Sequence, residues 1–227
     1  MRQQMHRRAA IYYEEEEPDL FKSAWHYQRA GEEQQAAVLA ANNVWSILNR
    51  GYAHGLRQLL AGFDAQHLST MRWAEVNLAR GEVYAYLGDS AQAQRAYEAV
   101  LTLFDKMTPS AAVAILKVQA YMGLGDLQRY IQPDQSLAWL QRGLQELPEG
   151  HTLMAADLHI KNGLTHYTIG NLDLAAHALR KLTLLSDRGL IAYYGAHQLG
   201  QYCRRSGRDR AFKSILPRRP GPQRTVA

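Results

Sequence analysis

The sequence has little of what disulfide-bonded, secreted or membrane proteins contain. Its 227 residues include one cysteine, Cys203, which excludes an internal disulfide. No apolar run approaches the ~18–20 residues that a membrane-spanning helix needs. Residues 1–17 lack the apolar segment of a signal peptide. We therefore expect a cytoplasmic protein that does not associate with membranes.

Signatures of catalysis and of cofactor binding are also missing. The phosphate-binding pattern G-x4-G-K-[ST] does not occur, and no pairing of a nucleophile with a base can be assembled. His159 and His166 share one face of a predicted helix, but further ligands at the spacings of zinc sites are not evident. We expect no catalytic residues, no metal and no cofactor.

Positive charge is concentrated at the C-terminal end. The formal net charge is +5, yet residues 203–227 hold eight Arg and Lys residues and one Asp, a net charge of +7. The preceding residues therefore carry −2. Residues 217–227, PRRPGPQRTVA, contain three prolines and little that is apolar, so this basic tail is predicted to be disordered.

Residues 78–101, LARGEVYAYLGDSAQAQRAYEAVL, carry a helical hairpin pattern. Two stretches with helical apolar periodicity flank Gly88 and Asp89. Gly88 suits the left-handed position that ends a helix. Asp89 can cap the next helix, and Gln92 can complete a capping box. The pattern therefore predicts two antiparallel helices joined by a short turn.

Small residues and tyrosines alternate along this hairpin. Gly81 and Ala93 fall where the two helices are predicted to approach most closely, and only small side chains fit there. Tyr84 and Tyr97 are predicted to fill the gaps beside them. The pattern therefore describes helix packing and not a reactive site.

The turn signal recurs along the chain. It is found at Gly31, Gly51, Gly88, Gly125, Gly170 and Gly207. Three of the steps are 37 residues long, which indicates an internal repeat. The shorter step before Gly51 predicts that this glycine ends a second helix and is followed by a further hairpin. The longer step after Gly125 is explained by an insertion around residues 132–134, which predicts a second helix that begins near Ser136.

The repeat resembles the tetratricopeptide repeat, whose units of roughly 34 residues place Gly, Tyr, Ala, aromatic and Pro residues at set offsets. The residues that carry the resemblance are Gly81, Tyr84, Gly88, Asp89, Ala93 and Tyr97, then Tyr121, Gly125, Asp126 and Pro148, then Gly163, Gly170 and Ala175. Two features depart from the family pattern: Asn77 stands where the family has an early Trp, and the units are longer. Both are typical of a divergent subclass, and the longer unit resembles the helical sensor arrays of bacterial signalling NTPases of the maltose-regulon-activator type and of LuxR-type regulators.

The resemblance implies an all-α fold, a right-handed superhelical solenoid of antiparallel helical hairpins over residues 20–216. Residues 1–19 are then an N-terminal helix with an acidic turn, and 217–227 the basic tail. The NTPase module of such regulators is not in this sequence. Three explanations stay open: the protein acts alone, a partner supplies the module, or the chain is a fragment of a longer protein.

Repeat offsets also predict a groove lined by the first helix of each hairpin. The polar positions that face it are Glu75, Glu82, Tyr86, Gln119, Asp157, Lys161, Tyr167, His197, Gln201, Arg204 and Arg205. Its first half is acidic and its last part basic. Arrays of this class often hold a C-terminal carboxylate with Lys, Asn and Arg, but Leu78, Glu82 and Ile115 take those places here. A carboxylate clamp is therefore not predicted.

Two further features have plain structural explanations. Glu14 to Glu17 could bind a cation or a basic peptide, but a solvated helix end and turn is the favoured interpretation. Cys203 takes a packing offset, so a buried and inert thiol is favoured over a reactive one with a lowered pKa.

The function expected is non-catalytic protein or peptide binding, as a scaffold or as the sensor module of a bacterial regulatory system. One alternative is a small-molecule effector sensor with Trp25, Tyr86 and Tyr167 as pocket walls. Another is a nucleic-acid accessory protein, which is disfavoured because the tail has no aromatic residue for bases to stack on. The apolar residues near the C-terminal end also predict self-association through that end.

Overall fold

The computed structural model describes residues 1–105 and 107–185, without the side chains of residues 179, 180 and 182–185. Every regular element in these ranges is helical, which confirms the predicted all-α class. The α-helices are α1 Arg2–Glu15, α2 Leu20–Ala30, α3 Glu33–Asn42, α4 Val44–Asn49, α5 Ala53–Ala61, α6 Thr70–Tyr86, α7 Ser90–Phe104, α8 Ala111–Gln128, α9 Pro133–Glu146, α10 Thr152–Thr168 and α11 Leu172–Leu185. A 3₁₀ turn, Ala65–His67, precedes α6. None of the described helices combines the length and the apolar character that crossing a bilayer requires.

The chain divides after Leu127 into two compact units. In the first unit, α1 packs on α2, α2 on α3, and α6 packs on α3, α5 and α7. Its core contains fully buried aliphatic side chains from several helices, among them Ile47, Leu56, Leu60 and Val83. The long helix α6 therefore lies at the centre of the first unit, with neighbouring helices on several sides.

The second unit contains the helices α9, α10 and α11. Helix α10 packs against both α9 and α11. Leu140 and Leu158 are fully buried, and the hydroxyl groups of Ser136 and Thr165 meet at 3.2 Å in the interior. A buried hydroxyl pair of this kind satisfies two polar groups that would otherwise be costly to remove from water.

The turn between α6 and α7 follows the sequence prediction closely. Gly88 has a φ of +82°. The backbone N–H of Asp89 donates to the Tyr84 carbonyl at 2.9 Å, as in the Schellman helix end. The Asp89 carboxylate accepts from the Gln92 backbone N–H at 3.1 Å and caps α7. Because the Asp89 N–H bonds back to α6, it is not the donor that a complete capping box would use.

Other predicted turn glycines divide into three groups. Gly31, Gly51 and Gly170 have φ values of +82° to +85°, so these helix ends are confirmed. The turn predicted at Gly125 is wrong, because α8 continues through it to Gln128. A glycine inside a helix costs about 1 kcal/mol relative to alanine, and burial of the surrounding helix face outweighs a penalty of that size. Gly207 lies outside the described residues.

The helix after the predicted insertion begins earlier than expected. Its first residue is Pro133 and not a residue near Ser136. Proline is favoured at the first helical position, because its fixed φ suits the helix and its missing N–H would have no partner there. The insertion therefore lies before Pro133, and Ser136 is a buried residue of the first turn.

Small residues lie where the hairpin prediction places them. Ala93 on α7 is fully buried, and Gly81 on α6 faces the ring of Tyr97. Tyr84 is half-buried. The contact between α6 and α7 in the first unit is therefore the predicted one.

The second helix of the first hairpin is interrupted, a feature that the sequence analysis did not predict. Asn43 leaves the helical conformation, with φ −125° and ψ 25°, and separates α3 from α4. Its side-chain amide donates to the Leu39 carbonyl at 2.9 Å. Asparagine competes in this way for helix backbone groups. The interruption turns Val44 into the core and leaves Trp45 on the surface.

Side-chain hydrogen bonds connect helix α1 to α2. The Ser23 hydroxyl donates to the Ala10 carbonyl at 3.0 Å, and the Tyr27 hydroxyl donates to the Glu14 carboxylate at 2.8 Å. Burial, together with the bond to Glu14, raises the pKa of Tyr27 to about 12. Glu17 accepts from the Tyr12 hydroxyl at 3.2 Å. Two carboxylates of the acidic run therefore take part in contacts within the chain.

Candidate partner-binding groove

One face of α6 forms the base of an open groove in the first unit. Glu75, Leu78, Ala79 and Glu82 recur at helical spacing and therefore lie along one side of the helix. Residues 41–46, around the junction of α3 and α4, form the opposite wall, and Gln119 of α8 completes the lining. The groove has a volume of about 480 Å³.

The groove has an apolar floor and polar walls. Leu78 and Ala79 are 7% and 2% exposed, so only the edges of these side chains reach the surface. Asn42, Asn43 and Ser46 present amide and hydroxyl groups from the α3–α4 junction. An apolar floor with polar walls can bury part of a ligand and still supply hydrogen bonds that set its orientation.

Carboxylates dominate the charge of the lining. Glu75 and Glu82 belong to it, and no Lys or Arg does so in the described part of the chain. Arg72, one turn before Glu75, forms an ion pair with that carboxylate, and both side chains are half-buried. The lining itself is therefore acidic.

Two exposed aromatic rings mark one edge of the groove. Trp45 is 56% exposed and Tyr86 is 53% exposed. Their ring centroids are 6.3 Å apart and the planes meet at 79°, an edge-to-face arrangement. Tyr86 lies one turn after Glu82, so these two side chains share one face of α6.

The structure brings several predicted residues together. Glu75, Glu82 and Gln119 line the groove, and Tyr86 lies at its edge against Trp45. Sequence reasoning did not select Trp45, which lies on the other wall. The signal available was the Asn42–Asn43 pair just before it, because consecutive asparagines disfavour a continuous helix.

The predicted groove residues Asp157, Lys161 and Tyr167 belong to the second unit. Asp157 and Lys161 form an ion pair along α10 with a nitrogen–oxygen distance of 3.9 Å. Tyr167 was expected to face a groove, but it is 1% exposed and belongs to the interior of its unit. A tyrosine ring is large enough to fill space between packed helices, and Tyr167 is buried in this way. His197, Gln201, Arg204 and Arg205 lie outside the described residues, as do Cys203 and the basic tail.

Trp25 does not belong to the groove either. Its ring contacts His6 and His26 edge-on, and the Arg29 guanidinium lies 4.6 Å from its centroid. His6 and His26 meet through their Nδ1 atoms at 2.9 Å. Three aromatic residues were expected to form the walls of an effector pocket. Trp25 lies in a cluster between α1 and α2, Tyr86 lies at the groove edge, and Tyr167 lies in the interior of the second unit.

His159 and His166 of the second unit are half-buried. Burial lowers the pKa of His159, with smaller contributions from the charges of Lys181 and His177, and burial alone lowers the pKa of His166. Within the ranges that the structure describes, no three His, Cys, Asp or Glu side chains converge as a metal site would require.

Comparison of the chain with protein-family models, with curated proteins and with solved structures finds no match.

Proposed function

We propose that the chain is a non-catalytic protein- or peptide-binding module, in which the groove between α6 and the α3–α4 junction receives a segment of another protein. The role in the cell is that of a scaffold or of the sensor part of a bacterial regulatory system, as the repeat resemblance implies. The proposal includes the finer fold prediction, a tetratricopeptide-like solenoid, which helices packed in consecutive pairs support.

The observation that carries the proposal is the convergence of three predicted groove residues on one lining. Glu75 and Glu82 lie on α6, and Gln119 lies on α8, 37 residues after Glu82. Repeat offsets selected all three residues from the sequence. Side chains that only solvate a helix surface have no reason to meet around one concavity. The exposed rings of Trp45 and Tyr86 add the residue types that are enriched at protein interfaces.

The test is a selection of peptides from a random displayed library on the full chain, followed by binding measurements on groove variants. Ser46→Trp places a large side chain in the groove, whereas Ala99→Trp places one on the exposed side of α7. We expect the selected peptides to bind wild type and Ala99→Trp alike and to lose affinity for Ser46→Trp. Failure to select any peptide, or equal binding to both variants, would contradict a groove-mediated function.

A second function is supported by one observation, the size of the groove. A volume of about 480 Å³ lies within the range of small-molecule sites. The alternative is an effector-sensing domain of a transcriptional regulator. A thermal-shift screen with sugars and nucleotides distinguishes the two functions, because only the sensor is stabilised by a small molecule at concentrations well above its Kd.

A further inference from the structure

We infer that the groove binds a proline-rich segment in the polyproline II conformation, and that this segment is the basic tail, residues 217–227, of a second copy of the chain. The exposed rings of Trp45 and Tyr86 supply the surface on which the proline rings lie. This inference rests on the proposed function, because it uses the same groove, and it specifies the segment that the groove receives.

The aromatic pair has a shape that suits a proline ring. Trp45 and Tyr86 are more than half exposed, with ring centroids 6.3 Å apart and planes at 79°. Rings at this angle present a face and an edge side by side, so a flat apolar ring can contact both. Proline has no backbone N–H, so covering it leaves no donor without a partner. Aromatic-lined grooves recognise P-x-x-P segments through contacts of this kind.

The size of the apolar floor disfavours a helix as the occupant. Only the edges of Leu78 and Ala79, which are 7% and 2% exposed, reach the surface there. A helix is roughly 10–12 Å across with its side chains and needs a longer apolar surface for its buried stripe. Addition of a strand needs a free sheet edge, and the described residues contain no strand. The groove therefore favours an extended segment that pairs with no backbone.

The polar walls suit the backbone of such a segment. Polyproline II has no internal hydrogen bonds, so its carbonyl groups accept from other groups. The lining carries neutral side chains that can donate to them, Asn42, Ser46 and Gln119. The Glu75 carboxylate is paired with Arg72, and Glu82 also has an interaction within the chain. Recognition therefore depends on ring contacts and hydrogen bonds, and not on the charge of the segment.

The chain itself contains a segment of this kind. Residues 217–222 have the sequence PRRPGP, in which Pro217 and Pro220 have the P-x-x-P spacing and Pro222 follows. No other two prolines of the sequence have this spacing. A proline-rich composition favours polyproline II, which loses little entropy when it binds because its conformation is already restricted. The basic tail is therefore the part of this sequence that fits the groove.

Contact between a tail and a groove joins two different surfaces of the chain. Each copy carries one of each, so a copy that has lost one surface can still use the other. Association should therefore need the prolines of one copy and the aromatic pair of another. A mixture of two defective variants can test this requirement directly.

The first experiment measures binding of the tail as a peptide. The receptor is the full chain with Pro217→Ala, Pro220→Ala and Pro222→Ala, called the tail variant, so that its own tail does not compete. The probe is a fluorescein-labelled peptide of the native tail, followed by fluorescence anisotropy at about 0.15 M salt, where surface charges are largely screened. We expect the peptide with the three alanines, which keeps every arginine, to bind at least about tenfold more weakly. A peptide with Arg218→Gln and Arg219→Gln should stay within about threefold of the native one.

Variants of the receptor then locate the site. We expect Trp45→Ala and Tyr86→Ala each to weaken binding of the native peptide by at least about fivefold, and Trp45→Phe to lose less than Trp45→Ala. Tyr12→Ala is the matched control. Tyr12 is 48% exposed and meets Tyr13 edge-to-face at 5.4 Å, but neither ring belongs to the groove lining. This variant should bind like the receptor itself.

The second experiment follows self-association by sedimentation at concentrations well above the Kd of the peptide. We expect the wild-type chain to associate, and the tail variant and Trp45→Ala each to stay monomeric. An equal mixture of these two variants should associate again, because it contains an intact tail and an intact groove. A variant that had failed to fold would not be rescued in this way. A monomeric wild type, or a mixture that does not associate, would contradict the inference.

Equal affinity for the native and the alanine peptides would also overturn it, as would an equal loss in Tyr12→Ala and the two groove variants. The displayed library separates this failure from failure of the proposed function. Selected peptides that lack proline but lose binding to Ser46→Trp would leave the groove function standing and overturn polyproline recognition. Proline-rich peptides that bind when the native tail does not would overturn the tail as the occupant. Absence of any groove-dependent peptide would overturn both proposals.

Discussion

The ring of Tyr97 lies directly against the backbone of Gly81. A Cβ atom added to Gly81 would be 2.6 Å from Cζ of that ring, and one added to Gly123 would be 2.6 Å from its Cε1. The tyrosine of α7 therefore occupies a slot between a glycine of α6 and a glycine of α8. Burial raises the pKa of Tyr97, with smaller contributions from the charges of Glu82 and Asp126, so the ring stays neutral.

This contact predicts that the effect of Gly81→Ala depends on residue 97. In wild type the added methyl group overlaps the ring, and we expect a loss of about 1–3 kcal/mol in the free energy of unfolding. In a Tyr97→Leu background the ring is absent. There we expect Gly81→Ala to raise the free energy of unfolding, because alanine is favoured over glycine in a helix by about 1 kcal/mol. Urea unfolding of the two single variants and the double variant measures the coupling. The same loss in both backgrounds would contradict the contact.

A second packing prediction compares two alanines of α7. Ala93 is fully buried against α6, whereas Ala99 is exposed on the same helix. Ala93→Leu is expected to overpack the contact and to lower stability by about 1–3 kcal/mol. Ala99→Leu should be nearly neutral, because both residues have high helix propensity. Equal unfolding midpoints would remove the repeat register on which the groove prediction rests.

Arg80 gives a third prediction, because its guanidinium donates hydrogen bonds at the C-terminal end of α5. It donates to the Leu60 carbonyl from Nε at 3.2 Å and from Nη2 at 2.7 Å, and Nη2 also donates to the Phe63 carbonyl at 3.1 Å. Leu60 is next to the last residue of α5, where carbonyls lack helical partners. Burial lowers the pKa of Arg80, and its hydrogen bonds are made in a half-buried setting.

We expect Arg80→Leu to lower the free energy of unfolding by about 1–3 kcal/mol, since the Phe63 carbonyl loses the Arg80 donor and the Leu60 carbonyl is left with the Phe63 backbone N–H, at 3.3 Å. Arg80→Lys should recover only part of this, because one ammonium cannot reproduce the planar fork of donors. Arg95→Leu, on the exposed side of α7, is the matched control. Thermal unfolding of the three variants distinguishes a structural arginine from a surface charge that contributes little.

The fourth prediction concerns acid sensitivity and His26. Burial lowers the pKa of His26 from its ordinary value of 6.5, and the charge of neighbouring His6 lowers it further. The unfolded chain therefore binds a proton at a higher pH than the fold does, and stability falls as the pH decreases through 6.5 toward the lowered pKa. We expect this fall to be smaller in His26→Gln and unchanged in His54→Gln, an exposed histidine.

The stabilisation that depends on Asp19 is lost in a separate, more acidic pH range. Asp19 therefore provides an internal check on the His26 measurement. Its burial would raise the pKa, but hydrogen bonds from the Lys22 backbone and the Tyr52 hydroxyl, with the Lys22 charge, lower it below 3.8. This stabilisation is fully present above pH 3.8 and is lost as the pH falls through the lowered pKa. Loss of stability as the pH first falls below 6.5, well above 3.8, therefore reports on histidine and not on Asp19. A stability profile that is flat over that range would contradict the assignment to His26.

Features that depend on a few neighbouring residues could be read from the sequence. The all-helical class, the turn at Gly88, the Asp89 cap and the helix ends at Gly31, Gly51 and Gly170 are confirmed. Each is set by a local preference, such as the left-handed conformation that glycine adopts without strain or the reach of a short carboxylate to the next turn. The small residues of the α6–α7 contact followed from helical spacing.

Features that depend on packing were decided by the tertiary structure. Gly125 carries the same local signal as Gly88, yet α8 continues through it, because burial of a long helix face outweighs the preference of one glycine. The interruption at Asn43 placed Trp45 beside Tyr86, and no local pattern specifies that two aromatic rings far apart in sequence meet. The sequence by itself determined the helical class and the helix ends at Gly31, Gly51, Gly88 and Gly170. Only the association of α3, α4, α6 and α8 created the groove, because its shape and charge come from side chains that meet across helices.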